Sequence, residues 1–149
     1  MAGSAGNTFE NELLQHIFEN ADVALIGDAT GLRGSSTAGS LYVSLHTGTP
    51  DLEAGDQTTS ECDYTSYARV AVARTDAKWT ISNNSCKNAD AISFPACTGG
   101  SNTATYFAIG TASSGAGKVL FHGDLDASLA ISSGITPSFA AEALEVTMS

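Results

Sequence analysis

Positive charge is scarce in this chain. Six Lys and Arg stand against 16 Asp and Glu, for a formal net charge of -10 over 149 residues. The six are Arg33, Arg69, Arg74, Lys78, Lys87 and Lys118, and they form no tract. Phosphate backbones are held by clustered Lys and Arg, so direct contact with nucleic acid is excluded as an expectation. Cysteine is sparse too. Cys62, Cys86 and Cys97 show no CxxC or Cys/His spacing, which removes a zinc site and leaves free buried thiols as the reading. No segment reaches the roughly 18 apolar residues of a membrane span. Residues 1–6 lack the basic and apolar regions of a signal peptide, so a soluble product in a reducing cytosol is expected. No repeat, heptad or collagen pattern occurs, which argues against a long fibrous shaft.

What remains is rich in Gly, Ser, Thr and Ala, a composition suited to a β-domain with many tight turns. The length fits one domain. Residues 1–6 read as a flexible arm. Asn7 offers an N-cap for a helix over about 8–20, with Phe9, Leu13 and Ile17 at i, i+4, i+8 as its apolar stripe. That stripe must pack on the chain's own sheet or on a neighbouring subunit. Gly27 to Gly39 reads as a long loop with Arg33 near its middle, so 7–40 forms a helix-and-loop segment.

From Leu41 the period changes to two. Leu41, Val43 and Leu45 point one way, and Tyr42, Ser44 and His46 the other. Gly48-Thr49-Pro50 ends that strand, and a polar loop covers 50–66. Further strands are expected at Arg69–Arg74, at Trp79–Ile81 pairing with Ala89–Phe94 around Asn83-Asn84-Ser85, at Thr103–Gly110 with Lys118–His122, at Leu129–Ile131, and through Leu144, Val146 and Met148. The fold class is mainly β: a single-domain antiparallel β-sandwich or barrel-like fold over 41–149, with one N-terminal α-helix.

Candidate chemistry is thin. His16, His46 and His122 stand beside no nucleophile motif and read as surface or edge histidines. Ser113 to Lys118 lacks the phosphate-loop spacing and reads as a hairpin turn. Asp51, Glu53, Asp56, Glu61 and Asp63 crowd one loop; a solvated face is favoured over a calcium site, since the EF-hand spacing is missing. No catalytic residue, cofactor or metal is expected, and the chain is not expected to be an enzyme. Arg69 and Arg74 flank an apolar strand in an acid-rich chain, so each is expected to pair with a carboxylate and serve structure. Phe9, Leu13, Ile17 and Arg33 are the candidate interface.

The chain resembles a family of small tailed-bacteriophage virion proteins often labelled tail fibre proteins. The resemblance runs through Phe9–Phe18, Leu41-Tyr42-Val43-Ser44-Leu45-His46-Thr47, Tyr67-Ala68-Arg69-Val70-Ala71-Val72, Ile92-Ser93-Phe94-Pro95, Phe107-Ala108-Ile109-Gly110-Thr111-Ala112 and Ile135-Thr136-Pro137-Ser138-Phe139-Ala140-Ala141. It implies a structural protein of the virion and leaves its place on the particle open; an outer-surface location is the expectation. The first expectation is a capsid decoration or cement protein, bound to the major capsid protein and to sister copies, as a trimer. The alternatives are a tail or tail-fibre component, or a carbohydrate-binding module using Tyr64, Tyr67, Trp79 or Tyr106. No nucleic-acid or membrane partner is expected.

Overall fold

The computed structural model describes residues 1, 3–48 and 54–148. The chain is mainly β, with one α-helix near its N-terminus and antiparallel strand pairs. It divides into two compact units. The first holds Met1–Gly39, Ala73–Ala91 and Ala140–Ser149; the second holds Ser40–Val72 and Ile92–Phe139.

In the first unit, helix α1 (Asn7–Phe18) begins one residue before the expected start. Its N-cap is Gly6, in extended conformation, and no side chain caps it. Strands β3 (Trp79–Ser82), β4 (Ser85–Asn88) and β9 (Glu145–Thr147) make a three-stranded sheet. The β3–β4 turn is Asn83-Asn84, with φ of 51° and 61°. Two successive left-handed residues make the type I′ turn whose twist suits a two-residue hairpin, and Asn tolerates that conformation best after Gly. The turn stands where the sequence puts it, but its partner strand does not. β4 follows at once as Ser-Cys-Lys-Asn, instead of Ala89–Phe94, with Cys86 and Asn88 buried on alternate positions.

In the second unit, β1 (Ser40–His46), β2 (Val70–Ala73), β6 (Ser101–Gly110) and β7 (Val119–Ser132) form a sheet in the order β2-β1-β6-β7, with Ala73 at the unit boundary. β5 (Ile92–Ser93) and β8 (Ser138–Phe139) form a two-stranded ladder. Phe139 meets Phe107 of β6 at 6.0 Å and Phe94 at 6.2 Å, both edge to face, so aromatic packing joins ladder to sheet in a sandwich-like way. β7 is one strand where two were expected. Its register on β6 slips between Tyr106↔Asp124 and Ala104↔Leu129, so Leu125 to Ser128 is absorbed as an irregularity instead of a break.

β1 corrects a second expectation. Leu41, Val43 and Leu45 are buried as the alternation requires, but Ser44 and His46 on the opposite face are 0 % exposed as well. His46 is therefore an interior residue, because the segment after residue 53 folds over that face. Thr49 and Pro50 of the expected strand stop lie outside the described residues.

Candidate functional site

Two parts of the molecule concentrate what could act. The first is the surface of the helix unit. α1 buries Glu10, Leu14 and Phe18, and the Phe18 ring meets Trp79 edge-on at 4.7 Å. The stripe selected from sequence lies one position away. Phe9 is 40 % exposed, and Leu13 and Ile17 are half-buried. So the helix covers its own sheet with one stripe and keeps an adjoining apolar one partly open.

The helix ends on Arg74. Its guanidinium donates from Nε to the Ile17 carbonyl at 2.6 Å, from Nη2 to that of His16 at 2.6 Å, and from Nη1 to that of Ala38 at 3.0 Å. Its partners are carbonyls and not the expected carboxylate. The last turn of a helix leaves carbonyls without donors and carries partial negative charge, which a cation satisfies twice over. Arg74→Met is expected to cost about 1.5–3 kcal/mol, the range for charged hydrogen bonds, seen as a lower thermal midpoint and weaker helical ellipticity at 222 nm.

Beyond the helix the chain turns back on itself. Asn20 bonds Ser35 through both amide atoms at 2.7 and 2.8 Å. Asp22 accepts from the Gly34 N–H at 2.8 Å and from Arg33 at 3.0 Å. Those bonds, the Gly34 amide first, hold the Asp22 carboxyl below its usual range. Val23 and Leu32 exchange backbone bonds at 2.9 and 2.8 Å. Asp28 closes the tip by accepting from Thr30 and Gly31. The candidate interface residue Arg33 is thus in an exposed ion pair, which contributes little energy by itself. The loop presents Leu25, 80 % exposed at φ 67°, with Ile26 and Leu32 also exposed. A branched aliphatic side chain held outward in a left-handed conformation is unusual. The sequence carried one sign of it: Ala24-Leu25-Ile26 is an apolar run without periodicity, set against Gly27-Asp28.

The second part is a buried polar clamp in the other unit. Glu61 accepts from Arg69 through both oxygens, at 2.7 and 2.8 Å, and from the Tyr67 hydroxyl at 3.0 Å. Tyr67 Oη in turn accepts from Leu45 N–H at 3.1 Å. Arg69 donates onward to the carbonyls of Ala112 and Gly115 in the β6–β7 loop, at 2.9 and 2.8 Å. The hydrogen bond to Glu61 raises the Arg69 pKa further. Gln57, fully buried, joins the same loops. It donates to the Tyr42 carbonyl at 3.3 Å and accepts from Ala112 N–H at 2.9 Å. Its own N–H reaches the Gly117 carbonyl. A Cβ at Gly110 or Gly117 would run into the Gln57 amide, so only glycine lets the backbone come this close.

His46 sits beside the clamp. Nδ1 lies 2.8 Å from the Thr59 carbonyl and Nε2 2.8 Å from Ser44 Oγ. A Ser–His pair at this distance resembles an activated nucleophile, but both residues are 0 % exposed, and the pair braces the interior.

Trp79 and Tyr64 are buried, Tyr64 donating to the Pro95 carbonyl at 2.8 Å, and Tyr67 belongs to the clamp; Tyr106 is half-buried. Trp79, Tyr64 and Tyr67 each pack against another ring. Cys62, Cys86 and Cys97 are free and buried, and desolvation pushes the Cys62 and Cys86 thiols up to about 12. In the acidic loop, Asp51 and Glu53 lie outside the described residues. Asp56 caps a local turn at Thr58 and Asp63 bonds Asn102. Among the described residues no group of three His, Cys, Asp or Glu is placed to hold a metal.

The model of a family described as podophage GP4 fiber I protein gp80 matches residues 4–147. No curated protein matches the chain.

Proposed function

The chain belongs to the podophage GP4 fiber I protein gp80 family, a phage virion family of fibre type, and from that membership we propose that it is a structural component of the tail-fibre apparatus. The family description supports this reading ahead of a capsid decoration or cement role. The contribution is contact rather than chemistry: sister copies, or a neighbouring virion protein, cover the apolar surface of the helix unit. The observation that carries the contact reading is the grouping of exposed large apolar side chains. Of the six such residues among the described ones, Met1, Phe9, Leu25, Ile26 and Leu32 belong to the helix unit, and Ile135 to the other. The distribution of positive charge fits a protein partner and not a polyanion. Arg33, Arg69, Lys78 and Lys87 each face a carboxylate, and Arg74 is committed to the helix end.

Gold-labelled antibody on intact particles tests the location. Label on the tail supports the proposal, and label spread over the head restores decoration. The contact is tested by Leu25→Ser with Ile26→Ser. Each aliphatic side chain stabilises a buried interface by about 1.5–3 kcal/mol, so association is expected to weaken at least tenfold per residue. Sedimentation of the purified protein and its incorporation into particles provide the readouts, with unchanged circular dichroism as the folding control. Unchanged self-association and unchanged incorporation together would remove this surface from the proposal.

A further inference from the structure

The most unusual buried titratable group belongs to the other unit. His46 is fully buried at the end of β1, and what it holds is a loop instead of a core side chain. A carbonyl can only accept, so the bond to Thr59 requires the proton on Nδ1. Nε2 therefore accepts from the Ser44 hydroxyl. Other bonds tie the same segment to the end of the sheet: Thr47 N–H to the Ser60 carbonyl at 2.8 Å, and Cys62 N–H to the Leu45 carbonyl at 2.9 Å. Gln57 then ties that segment to the β6–β7 loop. Segment 56–61 and loop 111–118 are thus fastened together, with His46 beneath.

We propose that His46 is the pin of an acid-released latch, holding 56–61 and 111–118 closed when neutral and freeing them when protonated. Acid adds its proton at Nε2. Ser44 must then turn its hydroxyl from His46 to the Ala108 carbonyl, 3.4 Å away, which is a poor bond. The new charge is buried. Glu61 stands opposite His46 in an isolated bridge, but both of its oxygens are already held by Arg69 and Tyr67. The other charged or titratable groups facing the ring are Arg69 and His122, and Tyr106 is its register partner on β6. Arg69 and a protonated His122 both repel the imidazolium. Solvating it requires lifting 56–61, which breaks the Thr59 bond, carries the Gln57 link with it and draws Glu61 away from Arg69, so the buried charge works against the clamp as well.

Desolvation first, then the Arg69 and His122 charges, lower the His46 pKa; the Thr59 bond and Glu61 oppose this without reversing it. The latched form binds the proton less readily than the open form, whose histidine titrates near its ordinary value of about 6.5. The latch is therefore closed above that value and loosens as pH falls below it. Opening coupled to one proton should lower protection by up to about tenfold per pH unit.

Hydrogen exchange of the full chain between pH 7.5 and 4.5, corrected for intrinsic rates, tests this. Protection is expected to fall in 56–61 and 111–118 while fluorescence of Trp79, the sole tryptophan and a residue of the other unit, stays native. His46→Gln should flatten the pH response. Should that variant fold poorly, the wild-type His46 ring signal by NMR replaces it, and its midpoint must follow the loss of protection. Protection independent of pH, loss with a midpoint unrelated to His46, or unfolding of both units together would each overturn the proposal.

Discussion

Arg69→Ala is expected to lower stability by about 3–5 kcal/mol, the cost of leaving one charge of a buried pair alone. For a chain of this length that is a fall in Tm of about 10 °C or more. The Arg69 side chain is 2 % exposed and its partner Glu61 16 %. Removing the guanidinium leaves the Glu61 carboxylate with the Tyr67 hydroxyl alone, and it strips the donors from the Ala112 and Gly115 carbonyls. Arg69→Lys should recover only part of the loss. A lysine carries the charge but cannot present the planar fork that spans both Glu61 oxygens and two carbonyls. Combining Arg69→Met with Glu61→Leu separates the contributions. It removes the lone charge, so the pair's share should return, while the carbonyls stay unsatisfied. Thermal melts of the three variants decide this. A single alanine variant within 1 kcal/mol of wild type would show that the clamp does not hold the loops.

The clamp also shows how far the sequence could be read. Arg69 and an acidic loop were both visible, but which of Asp51, Glu53, Asp56, Glu61 and Asp63 meets the guanidinium depends on where 54–61 crosses the sheet end. Periodicity gives the faces of a strand, not what covers them. That is why His46 read as an outward residue: alternation assigned its face correctly, and the loop that buries that face has no period of its own. Gln57 gave no signal, since a polar residue in a polar loop looks solvated until its amide is found wedged between glycines. β4 carries little signal in the sequence for a similar reason. Its Ser-Cys-Lys-Asn alternates small or polar residues whose burial is set by α1 and β9. Local chemistry was more dependable. The Asn-Asn turn, the β6–β7 hairpin and the single N-terminal helix all follow from short-range preferences and appear where expected.

The helix itself supplies the second large effect. Leu13-Leu14 and Ile17-Phe18 place two apolar stripes side by side, and a 3.6 period cannot rank them. Glu10 masked the buried one, because an acidic residue heading a stripe argues for solvent. Only the partner surface decides, and the partner is Trp79. It is 1 % exposed, opens β3, packs its ring on Phe18, and donates Nε1–H to the Ala73 carbonyl at 3.1 Å. Trp79→Ala should therefore cost about 3–5 kcal/mol through the cavity left under the helix. Trp79→Phe keeps a ring edge for Phe18 and loses chiefly volume and the bond to Ala73, so about 1–2 kcal/mol is expected. Phe9→Ala, on the open stripe, should stay within about 0.5 kcal/mol in the isolated chain. Denaturant unfolding followed by far-ultraviolet circular dichroism measures all three without relying on the indole that two of them lack. The contrast carries the argument, because equal losses at Trp79 and Phe9 would mean that both stripes are covered within the chain. A large loss at Trp79 beside a negligible one at Phe9 leaves the Phe9 stripe free for another subunit.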